Sequence, residues 1–277
     1  MSLNFKNMAA SVSGSDTDLS SSYYANSISI SESLSELNFG SLGSNATNSV
    51  SAKAPEGTID LSFYITTGSE ITAITGHYGK TGFLEVRAGP FTADKCLLES
   101  FNFAIDPVGM VMGSTSYSYY GQIQSGALNP TGSAPTIRPA HGAKSDLNLD
   151  SMGVSGAIAI SYDVSQSYDI GYTLGQSAPA RVTFQELTKN ISIDAQAEDV
   201  NFSKSNLTGA SGVCHTPIGE DGFSLKSGII SLKNLCDEEI ASFDFSGYLE
   251  SRSFESAAGD NVQQSLSLTE VSREGEC

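Results

Sequence analysis

The chain has 277 residues, of which 39% are hydrophobic and only 16% charged, with 27 Gly and no Trp. That composition excludes a coiled coil and, because hydrophobic runs recur throughout, argues against wholesale disorder. With 14 basic and 31 acidic residues the net charge is −17, so the chain repels phosphate rather than gripping nucleic acid.

In chain order, period-2 alternation predicts strands at Ser27 to Ser31, Thr58 to Phe63, Ser100 to Phe103, Ala157 to Ile160, Ile191 to Ile193 and Ser265 to Leu268. Such strands bury one face, and the Gly, Asn, Asp and Ser clusters between them supply turns. The expected core is Ile28, Ile30, Ile59, Leu61, Phe101 and Phe103, with Ile158, Ile160, Ile191, Ile193, Phe243 and Phe245 as counterparts. Helical spacing is confined to a turn or two at Lys95 to Phe101 and Asn234 to Ala241. No stretch has signal-peptide or membrane-span length, so secretion and membrane insertion are disfavoured and the sequons at Asn45, Asn190, Asn201 and Asn206 read as chance.

A low-charge, Pro- and Gly-containing segment, Gly126 to Pro139, divides the chain near its middle. Residues 1–138 carry 6 basic and 11 acidic groups and residues 139–277 carry 8 and 20, so the second half is the acidic one. The halves also match each other in order: Asn26 to Ser31 with Gly156 to Ser161, Thr58 to Leu61 with Asn190 to Ile193, Gly82-Phe83 with Gly222-Phe223, Cys96 with Cys236, and Phe101 and Phe103 with Phe243 and Phe245. Each half then ends on a Ser-rich strand, Ser114 to Tyr120 and Ser265 to Thr269. An ordered self-match predicts two tandem all-β domains with little helix. The expected layout is an N-terminal arm at 1–14, a first domain at 15–125, a linker at 126–149, a second domain at 150–272 and a tail at 273–277.

Motifs for chemistry are incomplete. Gly76 to Thr81 ends like a phosphate loop but has Ile74 where the first Gly belongs, and reads as a Gly-rich hairpin turn. Asp146 to Asp150 opens like a calcium loop but has Ser151 and Ala157 at the Gly and Glu positions, leaving a polar lead into a strand. Cys214-His215 lacks partners at zinc spacing, there is no G-x-S-x-G elbow, and Cys96 and Cys236 read as equivalent core positions. Neither catalysis nor a cofactor nor a metal is expected. Two rivals stay open: a carbohydrate- or host-binding sandwich using Tyr117, Tyr119 and Tyr120 as a stacking surface, and a hydrolase with an unrecognised serine site.

The strands Ile158 to Val164, Tyr168 to Gly175 and Arg181 to Phe184, and the closing segment Cys96 to Asp106 with Ser114 to Tyr120, resemble tail tube proteins of tailed bacteriophages. The resemblance spans Ser22 to Ile123 and again Val154 to Val271. It implies two tandem antiparallel β-sandwich or half-barrel domains, six of which line a channel for DNA when subunits assemble into stacked rings. It also implies that Gly40 to Pro55 and Gly171 to Pro179 touch the next ring.

Two domains per chain make a homotrimeric, pseudo-hexameric ring the expected partner arrangement, with a homohexamer as the alternative. Other tail proteins are further partners, DNA passes without specific binding, and no membrane is involved. Location in the virion tail follows from the same resemblance; a baseplate, neck or head-surface role is the alternative within the fold. A negative wall lets DNA slide. Glu220, Asp221, Asp237, Glu238 and Glu239 are the candidate lumen residues. Little-protected edges are expected at Ser27 to Ser31 and Ser114 to Tyr120.

Overall fold

The computed structural model describes residues 8–14, 20–34, 36–40, 47–51, 55–125, 138–149, 152–153, 157–174, 176, 178–196, 226–255 and 263–273. The first half forms β1 (Met8–Gly14), β2 (Ser20–Ser33), β3 (Glu36–Gly40), β4 (Thr47–Ser51), β5 (Glu56–Tyr64), α1 (Gly68–Gly76), β6 (Leu84–Ala88), β7 (Phe91–Ile105), β8 (Met112–Tyr120) and β9 (Ile123–Ser125). The second half forms β10 (Asp146–Leu149), β11 (Met152–Gly153), β12 (Ala157–Gly171), β13 (Arg181–Gln196), β14 (Lys226–Lys233), β15 (Glu239–Glu255) and β16 (Gln263–Arg273). The chain is thus nearly all β, and its main sheet is antiparallel throughout.

Six strands of the first half close on themselves. β1 pairs with β2, β2 with β5, β5 with β8, β8 with β7, β7 with β6 and β6 with β1. Circular pairing makes a small barrel and satisfies edges that would otherwise be open. Met8–Gly14, expected as part of an N-terminal arm, is the strand that closes this circuit. The second half runs β12-β13-β16-β15-β14-β10-β11, and β12 is joined to β7, so both halves belong to one sheet.

The pairing order β2-β5-β8-β7-β6-β1 of the first half recurs as β12-β13-β16-β15-β14-β10 in the second. Registers agree as well. Leu61 lies between Ile28 and Thr115, and Ile193 lies between Ile160 and Leu266. Both halves shift register at the same two steps: after Ala25 in β2 and Ala157 in β12, and after Leu98 in β7 and Leu249 in β15. Leu98-Glu99-Ser100 therefore occupies the place of Leu249-Glu250-Ser251. Even a side-chain bond repeats, because Ser118 Oγ donates to Glu99 and Thr269 Oγ1 donates to Glu250 at 2.7 Å.

This register corrects part of the self-match. Thr58 to Leu61 with Asn190 to Ile193, and Ser114 with Ser265, stand as matched. Ile28, however, takes the place of Ile160 rather than Ile158, Phe101 that of Arg252 rather than Phe243, and Cys96 that of Gly247 rather than Cys236. Phe101 and Phe103 lie where β7 pairs with β8, whereas Phe243 and Phe245 lie where β15 pairs with β14. A period of two cannot distinguish registers two residues apart, and a bulge resets its parity.

Of the expected core, Ile59, Leu61, Phe101, Phe103, Ile160, Ile191, Ile193, Phe243 and Phe245 are buried, while Ile28, Ile30 and Ile158 are half-buried. One contiguous cluster includes residues of both halves. The helical turns expected at Lys95 to Phe101 and Asn234 to Ala241 are instead strand β7 and a turn leading into β15. The helix is α1, and its signal was the Thr67-x-x-Glu70 spacing of a capping box. Gly76 to Thr81 is not a hairpin: Gly76 ends the helix, and Gly79, at φ 68°, takes the left-handed conformation that turns the chain toward β6.

Residues 126–137 of the expected linker lie outside the described residues. From residue 138 onward the segment is hydrogen-bonded. Val111 N–H donates to Ala140 O at 2.8 Å, Ala140 N–H to Ile65 O at 2.9 Å and His141 N–H to Lys233 O at 2.8 Å. Asp146–Leu149 is strand β10 on β14, so the calcium-like stretch serves the sheet.

Candidate functional site

Two features stand out in the pairing: the junction of the halves, and two strand edges left without a second neighbour among the described residues. β7 is long enough to serve two neighbours on one side, pairing with β6 through Phe91 to Cys96 and with β12 through Ser100 to Ile105. Facing pairs across β7 and β12 are Phe103 with Tyr162 and Phe101 with Val164. Their rings gather with Phe243 of β15: Phe103 lies 5.1 Å from Tyr162 and 4.6 Å from Phe243, and Phe101 6.2 Å from Phe243. Aromatic pairs at these separations add to the burial energy of each ring. Burial pushes the Tyr162 hydroxyl well above its ordinary pKa, so it stays neutral.

Polar groups lock the same junction. Gln166 of β12 is buried, accepts the Gly79 N–H at 2.7 Å and donates through Nε2 to Leu98 O at 3.2 Å, tying the second half to the helix exit and to β7. Helix α1 packs against β2 and the start of β15. Its buried Glu70 accepts from Thr66 N–H at 2.9 Å and Thr67 N–H at 3.2 Å, while burial raises its pKa against those bonds. His77 follows the helix, buried, with no hydrogen-bond partner for either ring nitrogen among the described residues, and burial lowers its pKa.

Of the five candidate lumen acids, Glu220 and Asp221 lie outside the described residues. Asp237 pairs with Lys144 at 3.0 Å, Glu238 accepts from Asn234 Nδ2 at 2.7 Å, and Glu239 opens β15, exposed. Together with Lys233–Asp146 at 2.5 Å these contacts fasten the approach to β10 onto the β14–β15 turn. Exposed pairs of this kind are screened by solvent and add little to stability.

Chemistry expected elsewhere is displaced by packing. Tyr117 and Tyr119 are fully buried, Tyr119 donating to Ser31 O at 3.0 Å, and Tyr120 is half-buried, so the three do not form a stacking surface. Cys96 is buried, its thiol pushed up to about 12 by burial, whereas Cys236 is exposed in a turn beside Arg138, so the two are not equivalent core positions. Cys214 and His215 lie outside the described residues. Among the described residues no three His, Cys, Asp or Glu side chains gather as a metal site. A cleft of about 700 Å³ is lined by Asn148, Lys189, Asp244 and Glu270 among others, and its lysine is committed to Glu270 at 2.8 Å.

The expected open edge at Ser114 to Tyr120 is not one, since β8 pairs with β5 on one side and β7 on the other. Ser27 to Ser33 of β2 pairs with β5 alone, because β1 covers only Ser20 to Ala25. Tyr248 to Glu255 of β15 pairs with β16 alone, because β14 covers only Glu239 to Gly247. No other strand pairs along these two edges among the described residues. No protein-family model and no curated protein matches the chain.

Proposed function

We propose that this chain is a structural subunit of a tailed-bacteriophage particle, a tail tube protein in which an internal duplication supplies two tube-like domains, and that it works by assembly rather than catalysis. The observation that carries this reading is the recurrence of one pairing order, with the same two register shifts, in both halves of a chain in which two strand edges are uncovered among the described residues. Three chains then supply six equivalent units to a ring, with six chains as the alternative stoichiometry and a baseplate, neck or head-surface position as the alternative place.

Stacking has apolar side chains available at both ends of the strands. Exposed Tyr172 and Leu174 sit at the tip of the β12–β13 hairpin, and exposed Val108, Met110, Met112 and Tyr64 sit at the opposite end, where Ile105 pairs with Ile160. A net charge of −17 suits a channel through which DNA slides without being held. Electron microscopy with native mass measurement of the purified protein is the test. Rings or tubes with three chains per layer are expected, and a compact monomer at every concentration overturns the proposal.

A further inference from the structure

The contact that joins the halves inside one chain can be carried, strand by equivalent strand, onto the two open edges. β7 and β15 occupy the same place in their halves, as do β2 and β12, by pairing order and by register. Within the chain, Ser100 to Ala104 of β7 pairs antiparallel with Ser161 to Ser165 of β12. Carrying each strand to its counterpart sets Ser251 to Glu255 of β15 against Ser29 to Ser33 of β2, the two edges just described as open. One chain cannot make this contact with itself in the same way, because its own β2 is already part of the barrel that β7 joins to β12.

We infer that β15 of one copy pairs antiparallel with β2 of the next, in the register Ser251 with Ser33, Arg252 with Glu32, Ser253 with Ser31, Phe254 with Ile30 and Glu255 with Ser29. Charge supports the occupant. The buried Phe101–Val164 pair of the internal junction becomes Arg252 opposite Glu32, so the only basic residue on one edge segment meets the only acidic residue of the other segment's register from Ile30 to Ser33. The Phe103–Tyr162 pair becomes Phe254 opposite Ile30, which keeps an apolar pair at the centre. Facing opposite charges on paired strands are favourable and like charges unfavourable, so the substitution of a charged for an apolar pair lets the external edge choose its partner. Ser31, Ser253 and their internal counterparts Asp163 and Asn102 are all exposed, as residues on one outer face must be. Such a head-to-tail contact has two different surfaces and propagates until a ring closes. It deepens the ring proposal and rests on it only in that copies must associate.

Disulfide trapping tests the register, because facing residues of antiparallel strands have Cα atoms about 4.5–5.5 Å apart, within disulfide reach. Ser31→Cys and Ser253→Cys are placed in separate full-length chains in which Cys214, Cys236 and Cys277 are replaced by Ser, then mixed and oxidised. A covalent heterodimer is expected from the mixture and from neither variant alone. Separately, Glu32→Arg and Arg252→Glu should each weaken association at least tenfold at low salt, and combining both reversals in one chain should restore it, because every junction of the ring is then complementary again; circular dichroism checks that each variant is folded. Rings that form without the cross-link and are indifferent to both charge reversals overturn this interface while leaving the ring proposal standing. A wild-type chain that stays monomeric overturns both.

Discussion

The first half of the chain closes into a circuit of six strands, whereas the second, with the same pairing order, has no closing pair among the described residues. In the first, β1 pairs with both β2 and β6. In the second, β10 pairs with β14 and β11 but not with β12, whose free side is taken by β7. A cavity of about 300 Å³ between β10 and the start of β12, lined by Ile105, Leu147, Ala157 and Ile160 among others, marks where closure stops. The difference teaches that an equivalent strand edge can be used in two ways: sealed by its own half, or given to a neighbour.

Breaking the shared junction should have the largest effect. Phe103→Ala removes a ring that is buried against residues of both halves, and should cost about 3–5 kcal/mol. Denaturant unfolding followed at several probes should still be a single transition, shifted to lower denaturant, because one core serves both halves; two separated transitions would show that the halves hold themselves up independently. Gln166→Leu tests the polar half of the same junction. It leaves the Gly79 N–H and the Leu98 carbonyl without the bonds they make to Gln166, and a loss of about 1–3 kcal/mol in the same titration is expected.

The smallest effect sharpens the view of the helix end that sits beside this junction. Burial holds the His77 pKa below its ordinary 6.5, so the unfolded chain takes up that proton more readily than the folded one. Its contribution to stability is therefore constant above about pH 7 and falls as pH drops through 6.5 toward the folded value. His77→Leu should flatten the stability difference between pH 7 and pH 5 relative to the wild type, and an unchanged slope would remove His77 from the account.

Alternation alone determined the all-β class and which face of most strands is buried: Ile59, Leu61, Ile191 and Ile193 are inside because a half-buried strand must put every second residue there. It also carried the existence of a repeat. Its register was legible only where the pattern was unambiguous, in β5 and β13 or β8 and β16, and it slipped at β7 and β15, where bulges at Glu99 and Glu250 change parity. The Leu-Glu-Ser triplet common to both strands was the missed sign. Helix α1 was legible at its capping box but too short for periodicity to reveal. What only the tertiary structure decided is who sits beside whom: that Met8–Gly14 closes the barrel, that Ser114 to Tyr120 is covered on both sides, and that β7 leaves its own half to meet β12. Side chains set the face of a strand locally, whereas its neighbours are chosen by backbone hydrogen bonds and packing between segments far apart in sequence, which a Ser-rich alternating pattern specifies weakly.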